Sequence, residues 1–113
     1  MAILQMLDIA RIKLDFQPPE CLDVEKVWLF EYLIQRGEKI APVIVRFDGH
    51  QYWLADGFHR VAAAKRLGQR EILAEIEPGT FEGMEAEYEQ YQGLVREDLR
   101  ENGVELRRAD KKP

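Results

Sequence analysis

Five consecutive residues carry the best chemical prospects in this chain: Asp56-Gly57-Phe58-His59-Arg60. They follow an alternating, aromatic-rich run, Gln51 to Ala55, and open an Ala-rich run that stops at Gly68. A strand that turns through glycine into a helix start presents backbone N–H groups without intrahelical partners. Such a start attracts anions through those donors and through the positive end of the macrodipole. Gly57, lacking a Cβ, lets the backbone approach a ligand closely or take positive φ. Asp56 is expected to cap a free N–H of the helix. His59 adds a donor of adjustable charge, and Arg60 a forked, permanent cation suited to phosphate. Two readings fit this spacing. One is an anion site whose first candidate is a phosphate; the other is a capped helix whose His59 and Arg60 pair with surface carboxylates.

The elements that must position this stretch can be read in order. Leu7, Ile9, Ile12, Leu14 and Phe16 alternate with polar residues and predict a strand around Ile9 to Leu14, ended by Gln17-Pro18-Pro19. Asp23 is the expected N-cap of a helix from Val24 to Arg36, with Gly37 just past its end. Val27, Phe30, Leu33 and Ile34 share one face and are expected in the core. Trp28 and Tyr32, four apart on a neighbouring face, read as a widening of that core stripe, with a partner surface as the sharper alternative. Val43 to Phe47 is a β-branched run, Asp48-Gly49-His50 a hairpin turn, and Gln51 to Ala55 the returning strand. Ala62, Ala63 and Ala64 should let the next helix lie close to the sheet. Glu71 to Ile76 predicts a further strand closed by Pro78-Gly79, and Thr80 starts a last helix to about Glu101 with a kink at Gly93. The order β–α–β–β–α–β–α argues for an α+β domain with a small mixed sheet and packed helices. Residues 1–79 are expected to form that domain, and 80–113 a C-terminal helix and tail.

Size and charge narrow the function classes. A chain of 113 residues suits one domain with a small core. A net charge of −5 makes the whole chain a poor sequence-independent DNA binder, since such affinity comes from neutralising phosphates with Lys and Arg. Arg60, Lys65, Arg66 and Arg70 could still form a local basic strip; the duller expectation for Lys65, Arg66 and Arg70 is a solvated helix face. No apolar run approaches the roughly 20 residues of a membrane span, and the N-terminus lacks the basic start of a secretory signal. One cysteine, Cys21, cannot staple the fold, so the cytoplasm is the expected compartment.

From about Ile9 to Ile76 the chain resembles the ParB/sulfiredoxin superfamily, most of all ParB N-terminal domains, also described as ParB-like nuclease domains. The resemblance rests on the helix ending at Gly37, Pro42 before a β-branched strand, the hairpin into Leu54–Gly68, and the strand Ile72–Ile76. It rests above all on a Gly-x-His-Arg box matched by Gly57, His59 and Arg60. It implies a ParB/sulfiredoxin-like fold and a nucleotide ligand, CTP or ATP/ADP, with phosphates at Gly57, Phe58, His59 and Arg60 and with Asp56 and Arg96 as further binding positions. It also implies a role in DNA partition or regulation through a partner.

Departures from the family pattern restrict the activities that the resemblance implies. Sulfiredoxins carry a catalytic cysteine where Phe58 stands, and Cys21 is far upstream, so the reductase branch is not expected; Cys21 reads as a packed or idle thiol. Gln92 to Leu99 is similar to only the second half of the box that serves hydrolysis and Mg²⁺ in partition ParBs. Gln92 there replaces a hard carboxylate ligand, which weakens Mg²⁺ binding and hydrolysis; no metal ligand and no catalytic residue is assigned. A resemblance to free-serine kinases keeps a kinase or nucleotide hydrolase open, with Glu20, Glu25 or Asp56 as carboxylate base. An adaptor with an empty pocket, dimerised through the Tyr88/Tyr91 helix or bound to a protein partner, is the remaining alternative. The helix-turn-helix reader that follows this module in ParB proteins is not expected before residue 113.

Overall fold

The computed structural model describes residues 2–90. Seven elements build the body: β1 (Ile3–Asp8), β2 (Ile12–Lys13), α1 (Val24–Gln35), β3 (Val43–Phe47), β4 (Tyr52–Asp56), α2 (Phe58–Arg66) and β5 (Glu71–Pro78). The strands form one mixed five-stranded sheet in the order β1-β5-β3-β4-β2. β1 runs antiparallel to β5, β5 parallel to β3, β3 antiparallel to β4, and β4 parallel to β2. The chain therefore has the α+β architecture with a mixed sheet expected from its pattern. It divides into two compact units, Met1–Phe81 and Glu82–Pro113; residues 81–90 are helical.

The first strand departs from expectation. Ile9 to Leu14 is not one strand: β1 lies earlier, and a 3-10 turn at Ile9–Arg11 separates it from the short β2. Asp8 causes the break, because its carboxylate accepts from the N–H of Ala10 at 3.0 Å. The turn leaves Ile9 and Ile12 buried on the core side, so their alternation is real but spans two elements. The sheet thereby gains an additional strand over the predicted order. β5 likewise runs two residues past the predicted end, because Pro78 still pairs with Phe47.

The hairpin formed by β3 and β4 is held at its turn by one carboxylate. Asp48 Oδ1 accepts from the N–H groups of His50 and Gln51 at 2.8 and 2.7 Å, and Oδ2 from Trp53 Nε1 at 3.0 Å. These donors, the Trp53 indole first, hold the Asp48 carboxyl at about 2, below the ordinary 3.8.

The core sits between the sheet and α2. Leu7, Val43, Val45, Leu54, Ala74 and Ile76 supply the sheet side, and Phe58, Val61 and Ala64 the helix side. Burying side chains such as Leu54, Val43, Val45 and Val61 contributes about 1.5–3 kcal/mol each by transfer. Ala63 and Ala64 are fully buried, which gives the close approach that the Ala-rich run predicted. α1 packs in turn on α2. Its start and end follow expectation: Asp23 Oδ1 accepts from the N–H of Glu25 at 3.0 Å, and Gly37 takes φ 77° after the helix. Val27 is buried, whereas Trp28 and Tyr32 are not part of a wide core stripe: they are 56% and 55% exposed. A helix that rests on another helix buries a narrower arc than one seated in a sheet, and these two side chains fall outside it.

Candidate functional site

α2 begins where β4 ends, and the junction is set by packing. Asp56 is the last residue of β4, opposite Ile44 of β3, so it does not cap the helix as expected. Gly57 occupies the N-cap in the left-handed region, with φ 105° and no side-chain bond to the first turn. A Cβ on Gly57 would lie 2.6 Å from Val43 Cγ1 and 2.9 Å from Val43 Cβ, so the glycine is required by β3 itself. Phe58 follows with its ring in the core, 8% exposed. Its side chain is thus packing, and the backbone N–H is what it can offer to a ligand. The first turn of α2 carries no acidic residue and no side-chain cap, so no side chain caps the amide donors of that turn.

The two basic residues of the box take different partners. His59 Nε2 accepts from the backbone N–H of Asp23 at 2.9 Å, joining the first turn of α2 to the N-cap of α1. An Nε2 that accepts places the ring proton on Nδ1, which becomes the free donor. Two helix starts therefore converge on one imidazole. Arg60 instead reaches the link between α1 and β3. Its Nη1 donates to the carbonyls of Pro42 and Ala41 at 3.0 and 3.3 Å, and its guanidinium lies 5.6 Å from the centre of the Phe30 ring. Arg60 also lines a cleft of about 340 Å³ together with Ile34, Ile40, Ile72, Leu73 and Met6. Asp23 and His59 do not line that cleft, so Arg60 is the residue that links it to the box.

The remaining candidates lie in varied settings. Arg66 pairs with Glu31 of α1 rather than standing as a free solvated cation, and Lys65 and Arg70 are exposed. With Arg60 bonded to two carbonyls and Arg66 paired, the strip of four cations is reduced in effect. Cys21 is an exposed free thiol at the end of a 3-10 turn, so it is not packed. Glu20 and Glu25 are exposed near the start of α1. Among the described residues no group of three or more His, Cys, Asp or Glu could hold a metal ion, and no helix is long and apolar enough to cross a membrane. Tyr91, Gln92, Gly93 and Arg96 lie outside the described residues. The partnership of Asp23 with His59 was not anticipated from sequence; a residue separation of 36 carries no periodic signal.

No curated protein matches the chain. Among solved structures it is similar to sulfiredoxin from Arabidopsis thaliana, at 24% identity and TM-score 0.67, over 74% of this chain and 94% of that one. It is also similar to the C-terminally truncated chromosome-partitioning protein ParB from Caulobacter crescentus, complexed with CTP-gamma-S. That likeness has 16% identity and TM-score 0.57, over 72% of this chain and 47% of the ParB chain. The same ParB complexed to the centromeric parS site matches at 17% identity and TM-score 0.54, over 71% and 42%. The chain thus spans about half of the ParB chains it matches, and at these identities the likeness shows the fold. The model of the ParB N-terminal domain matches residues 1–91, and on that match the chain belongs to the ParB N-terminal domain family.

Proposed function

We propose that this chain is a ParB-like module that binds a nucleotide or another phosphate-bearing ligand at the start of α2. The observation that carries the reading is the meeting of two helix N-termini at His59, with α2 lacking any carboxylate in its first turn. A phosphate there would accept from the uncapped amides after Gly57 and from the imidazole, while the α2 macrodipole favours its charge. Arg60 adds a permanent cation beside the cleft of about 340 Å³, whose half-apolar lining suits the rest of a small ligand. The CTP-gamma-S complex of the Caulobacter ParB makes a ribonucleoside triphosphate the first ligand to test. Asp56, exposed at the end of β4, belongs to this proposed set, as does Arg96, which lies outside the described residues.

The engagement of Arg60 Nη1 by two backbone carbonyls favours a second reading, in which the box is a structural latch and the chain an adaptor without a nucleotide. Isothermal titration with CTP, ATP and ADP, each with Mg²⁺, separates the two. Heat that disappears in His59→Ala supports the phosphate site, and no heat with any nucleotide sinks it. Release of phosphate during the titration would point to an enzyme and not a binding module.

A further inference from the structure

The two edges of the sheet are built differently. β2, at one edge, is two residues long, contains Lys13 and follows Arg11. β1, at the other, is six residues long and has no Lys, Arg, Pro or register shift, only Asp8 at its last position. Shortness, charge, proline and bulges are the devices that keep a sheet edge from pairing further. β2 has two of them along its length, and β1 lacks them between Ile3 and Leu7. The backbone of β1 is aimed accordingly. Its ladder with β5 continues to Ile9, whose N–H donates to the Arg70 carbonyl at 2.9 Å. Successive residues of an antiparallel ladder alternate in turning their polar groups to the partner. Ile3, Gln5 and Leu7 therefore face β5, whereas Leu4 and Met6 turn N–H and C=O outward. Among the described residues no strand lies beyond β1 to receive them.

We infer that β1 accepts an extended segment of a partner protein as a sixth strand, and that this segment is apolar at its centre and basic at its ends. Register sets the chemistry. Leu4, Met6 and Asp8 share one face of the sheet with the residues opposite them, Glu75, Leu73 and Glu71. Leu4, Met6 and Leu73 are 61%, 51% and 36% exposed and form the apolar centre. Asp8 and Glu71 stand at one end of it and Glu75 at the other, and neither strand carries a Lys or Arg. Even counting Arg70, which borders Asp8 and Glu71 in the preceding loop, these carboxylates outnumber the cations three to one. A basic segment complements them, whereas a second copy of the chain brings the same acidic edge. Main-chain bonds to Leu4 and Met6 supply the grip, and the side chains opposite these two supply the preference for apolar residues. This docking is independent of any ligand at α2.

The probe is the capped peptide acetyl-Lys-Thr-Val-Thr-Val-Thr-Lys-amide, whose valines fall opposite Met6 and Leu4 when it lies antiparallel. Calorimetric titration into the full chain should give saturable heat. Amide hydrogen exchange reads the geometry. In the free chain Leu4 and Met6 should exchange fast and Gln5 and Leu7 slowly, and bound peptide should slow Leu4 and Met6 about tenfold or more. The same peptide N-methylated at both valines keeps its side chains but loses the main-chain bonds, and should bind about tenfold or more weakly. Met6→Pro removes an outward N–H that the sheet's own ladder does not use, and should abolish binding. Met6→Lys, which sets a cation against the basic peptide, decides the matter if Met6→Pro does not fold. Four results each overturn the inference: no heat with the unmethylated peptide, equal binding of the methylated one, undiminished binding by both Met6 variants, or slow exchange at Leu4 and Met6 in the free chain at any concentration, since the edge is then already covered.

Discussion

The backbone N–H of Asp23 donates to Nε2 of His59 at 2.9 Å, so the starts of α1 and α2 share one side chain. This bond has a structural side and a binding side, and substitution can separate them. His59→Ala removes the acceptor and should cost about 1 kcal/mol of stability. His59→Gln retains an acceptor and should lose less. Both lose the imidazole Nδ1 donor, and nucleotide affinity should fall in both. Urea unfolding alongside calorimetric titration reads the two effects; equal nucleotide affinity in wild type and both variants would remove His59 from the site.

Arg60 presents the opposite balance. Its Nη1 bonds hold the carbonyls of Ala41 and Pro42, just ahead of β3. Arg60→Ala should destabilise by about 2 kcal/mol, the scale of hydrogen bonds from a charged donor to a partly shielded acceptor. Arg60→Lys keeps the charge but not the fork, and should recover part of any phosphate affinity and little of the lost stability. Midpoints of urea unfolding for the two variants check the ranking.

Gly57 is predicted to be the most sensitive backbone position of the box. Gly57→Ala imposes a side chain at φ 105° and drives its Cβ to 2.6 Å from Val43 Cγ1. Strain in the left-handed region and overpacking should together cost about 2–4 kcal/mol. Trimming the neighbour in Gly57→Ala/Val43→Ala removes the Cγ1 contact and leaves both the 2.9 Å approach to the Cβ of residue 43 and the φ strain, so the double variant should lose somewhat less than the sum of the two singles. Denaturation of all three variants measures that coupling.

Asp48 predicts an acid-dependent stability. Its folded carboxyl lies at about 2 against an ordinary 3.8, chiefly because of the Trp53 indole. A depressed folded value means that the contribution is fully present above about 4 and is lost as pH falls through the interval toward 2. Asp48→Asn should be less stable than wild type at neutral pH, with the difference shrinking at the acid end. Thermal melts from pH 2 to 7 check this, and a constant difference across that range would contradict it.

The exposure of Trp28 marks a limit of periodicity. Helical spacing correctly puts Val27 inward and groups Trp28 with Tyr32, but it does not tell what α1 rests on. Against a sheet, a wider arc of α1 would be covered. Against α2, Val27 is buried while Phe30, Leu33 and Ile34 are half-buried, and the aromatic row is left outside.

Local sequence rules determined most of the elements. Asp23 before Val24, the Asp48-Gly49 turn, Ala63 and Ala64, and the alternation in β5 each act through neighbours in the chain, and each is legible without coordinates. The box was visible for the same reason, since Gly57, His59 and Arg60 fall within four consecutive residues. Tertiary structure alone decided what the box residues touch. Asp56 belongs to the β3–β4 ladder and Gly57 answers to Val43; His59 turns to Asp23, and Arg60 to Ala41 and Pro42. Those partners lie 12 to 36 residues away in sequence, where neither the helical nor the strand period extends. They meet because the sheet order β1-β5-β3-β4-β2 sets β3 beside β4 and because α1 rests on α2.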